Sequence, residues 1–176
     1  PTVTSATLVD TSGGTVTIVG TNFGTADATV TLGGVACESV AHTTDHTTIE
    51  CAAAAGTGGG KDVVVTVDSQ VSTTGSGKFS YNAPTVTSAT LVDTDGGTVT
   101  VEGTSFGTTG ATVTLGGVAC GSVAYTTGHT TITCTAAAGT GGGKDVFVAQ
   151  DSQVSTTGAG KFSYNVPTVT SATKVD

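Results

Sequence analysis

The decapeptide PTVTSATLVD stands at Pro1–Asp10 and again at Pro84–Asp93, and it returns as PTVTSATKVD at Pro167–Asp176, each time 83 residues further on. Laid over 84–166 without a gap, residues 1–83 leave 67 of 83 positions identical and 16 different. Copies this similar fold alike, so one small domain has to close its core within a single repeat. The expected division is 1–83, 84–166, and 167–176 as the opening strand of a third repeat.

Within a repeat the hydrophobic period is two. Val16 and Ile18 alternate with Thr15 and Thr17, Val30 and Leu32 alternate with Thr29 and Thr31, and Phe79 and Tyr81 flank Ser80. Glycine clusters at Gly13-Gly14, Gly33-Gly34, Gly58 to Gly60, and Gly75 and Gly77 separate these runs. The chain holds 41 Thr, 25 Val and 27 Gly, a composition suited to pleated surfaces and tight turns rather than long helices. The expected strands are Val3–Val9, Thr15–Val19, Thr29–Leu32, Val35–Val40, Thr47–Cys51, Asp62–Val67 and Lys78–Tyr81. Seven short strands per repeat give an all-β fold, two tandem immunoglobulin-like sandwiches.

The segments PTVTSATLVD, GGTVTIVGTNFG, VTLGGVAC, TTIEC, KDVVVTV and FSY follow one another in both repeats. In order and spacing they resemble the IPT/TIG domain, an immunoglobulin-like module of plexins, Rel-type transcription factors and bacterial surface proteins. Two features depart from that pattern: the stretch from Asp10 to Gly13 is short, and Ala53 to Ala55 stand where the family often has Pro. The resemblance implies an immunoglobulin sandwich without an intrinsic active site, and the chain is expected not to be an enzyme or to carry a cofactor.

Charge narrows the partners. Five basic residues, all Lys, oppose 13 acids for a net charge of −8. No basic cluster exists to meet a phosphate backbone, so nucleic acid is excluded as a partner. No apolar run reaches the ~20 residues needed to cross a bilayer as a helix, so membrane insertion is not expected.

The four cysteines obey the repeat, Cys37 matching Cys120 and Cys51 matching Cys134. Intradomain disulfides are the favoured reading, because a small core gains most from a crosslink. Zinc ligation would call for paired C-x-x-C spacing, which is missing, and a free catalytic thiol is the third reading. Disulfides place the chain outside the cell or at its surface.

Other chemistry fails against the second copy. His42, Asp45, His46 and Glu50 have the side chains of a metal or acid/base site, but their counterparts are Tyr125, Gly128, His129 and Thr133. Asp93-Thr94-Asp95-Gly96-Gly97 has the alternating carboxylates of a calcium loop without its closing Glu. GTGGGK at Gly56–Lys61 and Gly139–Lys144 is followed by Asp rather than the Ser or Thr of a phosphate loop, and is expected to be a flexible hairpin. No metal site is expected.

Function is then expected from surfaces. The junctions at Tyr81–Pro84 and Tyr164–Pro167 leave almost no linker, and Pro holds the residue before it extended, which predicts a semi-rigid rod. Three opening strands accompany two sandwich bodies, so one strand is surplus: it either marks where a longer array was cut or is available to complete a neighbour. The expected assembly surface comprises Pro1, Val3, Leu8, Val64, Phe147, Pro167, Val169 and Lys174; Val64 and Phe147 face outward if Val63 and Val65 face inward, and a register shifted by one puts Phe147 in the core. The chain is expected to be a structural or adhesive extracellular protein, a protomer or segment of a filament assembled head to tail. The alternative is a carbohydrate- or surface-binding module or spacer, with His42, Tyr125 and Phe147 on glycans; Thr-bound O-linked sugars are a further expectation.

Overall fold

The computed structural model describes residues 1–73, 75–156 and 158–174. Val175 and Asp176 of the third opening segment lie outside the described residues. The first repeat runs β1 (Thr2–Ala6), β2 (Gly14–Thr21), β3 (Thr29–Leu32), β4 (Val35–Thr44), β5 (Thr48–Ala53), β6 (Val63–Val67) and β7 (Gln70–Val71). The second runs β8 (Thr85–Ala89), β9 (Gly97–Thr104), β10 (Thr112–Leu115), β11 (Val118–Ala119), β12 (Gly121–Thr127), β13 (Thr131–Ala136), β14 (Val146–Gln150) and β15 (Gln153–Val154). Among the described residues no helix is long and apolar enough to cross a membrane.

Each repeat is a sandwich of two sheets, and the chain crosses between them in its middle. In repeat 2 the sheets are separate, ordered β12-β13-β9-β8 and β11-β10-β14-β15. In repeat 1 the equivalent of β11 and β12 is the unbroken β4, so all seven strands form one continuous ladder. β4 pairs with β3 as far as Val30 opposite Cys37, then with β5 from Glu38 opposite Ala52. The change of partner falls beside Ser39, whose φ of 53° turns the backbone; Ser122 does the same at 47°. The strand expected to end at Val40 therefore continues to Thr44 in the other sheet.

Period-two alternation fills the core. Val16 and Ile18 of β2, Ile49 and Cys51 of β5, Val30 and Leu32 of β3, and Val63 and Val65 of β6 are all buried around Phe23 and Phe79. Their counterparts enclose Phe106 and Phe162. Gly20 is required where it stands: a Cβ there would sit 2.0 Å from the Thr2 carbonyl oxygen and 2.4 Å from the Phe23 ring. Cys37 joins Cys51, and Cys120 joins Cys134, each with Cα atoms 5.7 Å apart. Both disulfides pin the chain, where it crosses between sheets, to the sheet it is entering.

Three further strand expectations change. The first strand stops at Ala6 rather than Val9, because Val9 leaves β2 and makes a parallel bridge to Tyr81. Lys78–Tyr81 is no strand: it touches its neighbours at single residues, Phe79 on Lys61 and Tyr81 on Val9. The short strands β7 and β15 were not expected; they close hairpins on Asp68-Ser69 and Asp151-Ser152, all four residues at positive φ.

Residues 167–174, expected as an opening strand, form none here and are exposed. An opening strand holds its place by pairing with the next strand of its repeat, as β1 does with β2, and none of the described strands pairs with this segment. Val169 is 86% exposed, whereas its counterparts Val3 and Val86 are each 3% exposed.

Candidate functional site: the junction and the free end faces

The sandwiches meet end to end. The trailing face of repeat 1 is built by the turn after β1 (Asp10, Thr11), the GTGGG loop after β5 (Thr57, Gly58) and the closing segment at Tyr81. The leading face of repeat 2 is built by the loop after β9 (Ser105, Gly107), the β12–β13 turn (His129) and the β14–β15 hairpin (Asp151, Gln153).

Among the described residues, hydrogen bonds join the two faces at four places. Thr11 Oγ1 and His129 Nδ1 share one at 2.9 Å. Thr57 donates to Asp151 Oδ2 at 2.5 Å, and Ser105 donates to Asp10 Oδ1 at 3.3 Å. Gln153 Nε2 donates to the Tyr81 carbonyl oxygen at 3.0 Å. Asp10 also accepts from Asn82 Nδ2 at 2.7 Å, so one carboxylate ties the connecting segment to both domains. A cleft of about 230 Å³ remains between Thr11, Gly56, Thr57, Gly107, Thr108 and His129.

Comparing each residue with its copy outlines the contact. Thr11 is 1% exposed and Ser105 2%, while their counterparts Thr94 and Asn22 lie open. Gly58 and Gly107 are buried, while Gly141 is exposed and Gly24 half-buried. A Cβ on Gly107 would stand 2.8 Å from Thr57 Cγ2, so the glycine sets how closely the domains approach. Pro84 is buried at the junction, whereas Pro167 is exposed.

The ligand-like cluster of the first repeat does not converge. His42 Nε2 hydrogen-bonds the Phe23 carbonyl oxygen at 3.0 Å, and Glu50 accepts from Thr17 at 3.3 Å. Asp45 and His46 sit in an exposed turn. Tyr125, in the place of His42, accepts from the Ala111 N–H at 2.7 Å, so both residues brace the same loop and are not turned out toward a ligand. Burial raises the Tyr125 hydroxyl above its ordinary value, and the Ala111 bond partly offsets the effect. Among the described residues no three His, Cys, Asp or Glu side chains gather as a metal site.

The expected assembly residues are scattered. Val3 is corrected: as an alternate residue of β1 it faces inward and is buried in the core of its own repeat. Pro1 and Val64 are half-buried. Leu8, Phe147, Pro167, Val169 and Lys174 are exposed, and Phe147 points out of β14 opposite Thr114. The junction residues Thr11, Thr57, Ser105, Asp151 and Gln153 were not singled out from sequence. The GTGGG loop, expected as a flexible hairpin, supplies one of these hydrogen bonds, from Thr57 to Asp151.

A pair of disulfide-pinned immunoglobulin-like sandwiches joined by a direct contact defines a tandem β-sandwich protein. The sequence model of the IPT/TIG domain matches residues 1–81 and 84–164. The chain belongs to the IPT/TIG domain family.

Comparison with curated proteins finds no match. Similar solved structures include the Plexin A4 full extracellular region, at 20% identity over 93% of this chain and 18% of that one, TM-score 0.42. The surface glycan-binding protein PbSGBP-B from Prevotella bryantii is 18% identical over 80% of this chain and 35% of its own, TM-score 0.49. An SGBP-B from a complex xyloglucan utilization locus in Bacteroides uniformis is 18% identical over 93% of this chain and 49% of its own, TM-score 0.40. The chain thus spans less than half the length of each.

Proposed function

We propose that this chain is a structural segment of an extracellular rod or filament, in which IPT/TIG sandwiches follow one another head to tail in a fixed orientation. One observation carries the reading: the domain junction is a built contact, with hydrogen bonds at four separate places and the buried hydroxyls of Thr11 and Ser105. Domains joined by a tether alone move independently, whereas these share side-chain bonds that resist bending. The paired cysteines fit an oxidising compartment, in which the disulfides hold each sandwich against extension.

The test is small-angle X-ray scattering of the unreduced chain. A single end-to-end arrangement of the two sandwiches should reproduce the curve, and a broad distribution of interdomain angles would overturn the rod.

A second reading, carbohydrate or surface binding, is favoured by one residue. Phe147, 41% exposed where the first repeat has the smaller Val64, offers an aromatic face of the kind sugar rings stack on. Glycan-array binding that is lost in Phe147→Ala would support it.

A further inference from the structure

The junction buries one trailing face and one leading face, and each has a twin left open at the far end of the molecule. The open trailing face belongs to repeat 2 and repeats the buried one residue for residue: Asp93 for Asp10, Thr94 for Thr11, Thr140 for Thr57, Gly141 for Gly58 and Tyr164 for Tyr81. The open leading face belongs to repeat 1: Asn22 for Ser105, Gly24 for Gly107, His46 for His129, Asp68 for Asp151 and Gln70 for Gln153. Four of these five are identical, and the fifth exchanges one hydrogen-bond donor for another.

The backbones agree as well. Asn22 and Ser105 have φ of 60° and 58°, Gly24 and Gly107 of 74° and 73°, and Asp68 and Asp151 of 47° and 44°. The open faces therefore hold the shape of the occupied ones before anything binds. Preformed surfaces lose little ordering entropy on association.

We infer that the trailing face of repeat 2 docks onto the leading face of repeat 1 in a second copy of this chain, repeating the internal junction between molecules. This rests on the rod reading and names its contact. The bonds to be formed are Thr94 with His46, Thr140 with Asp68, Asn22 with Asp93, and Gln70 with the Tyr164 carbonyl oxygen. Different faces of the molecule meet, so the contact is heterologous, and repeated without closure it gives a fibre.

The same correspondence gives residues 167–174 a path in the docked state. At the internal junction Asn82-Ala83-Pro84 runs straight into β8, and Asn165-Val166-Pro167 stands in the same relation to Tyr164. Docking thus brings Pro167 to the place of the partner's Pro1 and Val169 to the place of the partner's Val3. The two segments share the sequence PTVTSAT, so the incoming one makes every contact of the strand it displaces. The single change, Lys174 for Leu8, falls where Leu8 is 60% exposed and no core contact is lost.

Charge is a further mismatch. The open leading face carries Asp27 and Asp45 where repeat 2 has Gly110 and Gly128, so the contact between copies is more acidic than the internal one. Screening by added salt should therefore strengthen it.

The experiment is sedimentation velocity of the unreduced chain over a concentration series up to the millimolar range, in low salt and in 0.5 M NaCl, with negative-stain microscopy of the same samples. Association into end-to-end chains that strengthens with salt is expected. Thr140 is exposed, so Thr140→Asp should leave the melting temperature unchanged while placing like charge against Asp68, weakening association by about tenfold or more. Adding Asp68→Lys should restore it, a rescue that a general surface effect would not produce. Val169→Asp should abolish association by placing a charge in the partner's core.

A wild-type chain that stays monomeric, or a Thr140→Asp chain that associates normally, would overturn the docking. Normal association of Val169→Asp would overturn the strand entry. A monomer that still scatters as one rigid arrangement would leave the rod reading standing, so the two ideas fail separately.

Discussion

At the residue scale, the closing aromatic pair shows how a small core is held shut. Phe79 is fully buried and Tyr81 packs edge-on against it, ring centroids 5.0 Å apart. The Tyr81 hydroxyl donates to the Ala54 carbonyl oxygen at 2.8 Å, which fixes the GTGGG loop that faces the second repeat. Burial raises the Tyr81 hydroxyl above its ordinary value of 10.0. The sign follows from which state keeps its proton: above about pH 10 the unfolded chain ionises this tyrosine while the folded chain still holds it neutral. Stability contributed by Tyr81 is therefore complete below pH 10 and is lost as the pH rises further. Urea denaturation of the first repeat between pH 8 and pH 11 should show this fall, and Tyr81→Phe should be less stable at pH 8 yet flatter across the range. An equally steep fall in the variant would assign the effect elsewhere.

At the element scale, the crossing strand is the device that makes two sheets one domain. β4 leaves β3 at Cys37 and joins β5 at Glu38, and the Cys37–Cys51 bond stitches that change of partner to β5 itself. The bond closes a loop of 14 residues, which in the chain-entropy model stabilises the fold by about 3 kcal/mol. Replacing both cysteines by Ser should lower the free energy of unfolding of repeat 1 by roughly that amount, and scanning calorimetry should show the transition of repeat 1 shifting further than that of repeat 2. The sequence made most of this legible. Alternation in Thr15–Val19 and Thr29–Leu32 gave strands that form, and the repeat paired the cysteines. It did not reveal the crossing, because a strand changing sheets keeps its β-branched residues and merely swaps the face they present. Nor did it place Lys78–Tyr81, where two aromatics alternate like a strand but bridge their neighbours only singly.

At the scale of the whole molecule, the question is whether two sandwiches behave as one body. Here the sequence was nearly silent. Duplication makes buried and open faces chemically alike, so nothing in Thr11 distinguishes it from Thr94; only burial does. The same duplication supplies a control for the contact. Gly24 and Gly107 have matching φ of 74° and 73°, so Ala at either position meets the same backbone strain, roughly 1 kcal/mol. They differ in what a Cβ would touch: at Gly24 the nearest atom is Val67 Cγ1 of its own repeat at 3.4 Å, while at Gly107 it is Thr57 Cγ2 of the other repeat at 2.8 Å. Gly24→Ala should therefore destabilise repeat 1 alone and leave the scattering curve of the chain unchanged. Gly107→Ala should destabilise repeat 2 and also push the domains apart, broadening the interdomain angles seen in scattering. In a tandem array each unit's stability is its own plus the interface with its neighbour, so the second variant should also lower the melting temperature of the unmutated first repeat. If Gly107→Ala and Gly24→Ala gave the same curve and the same loss, the junction would be a contact without mechanical consequence.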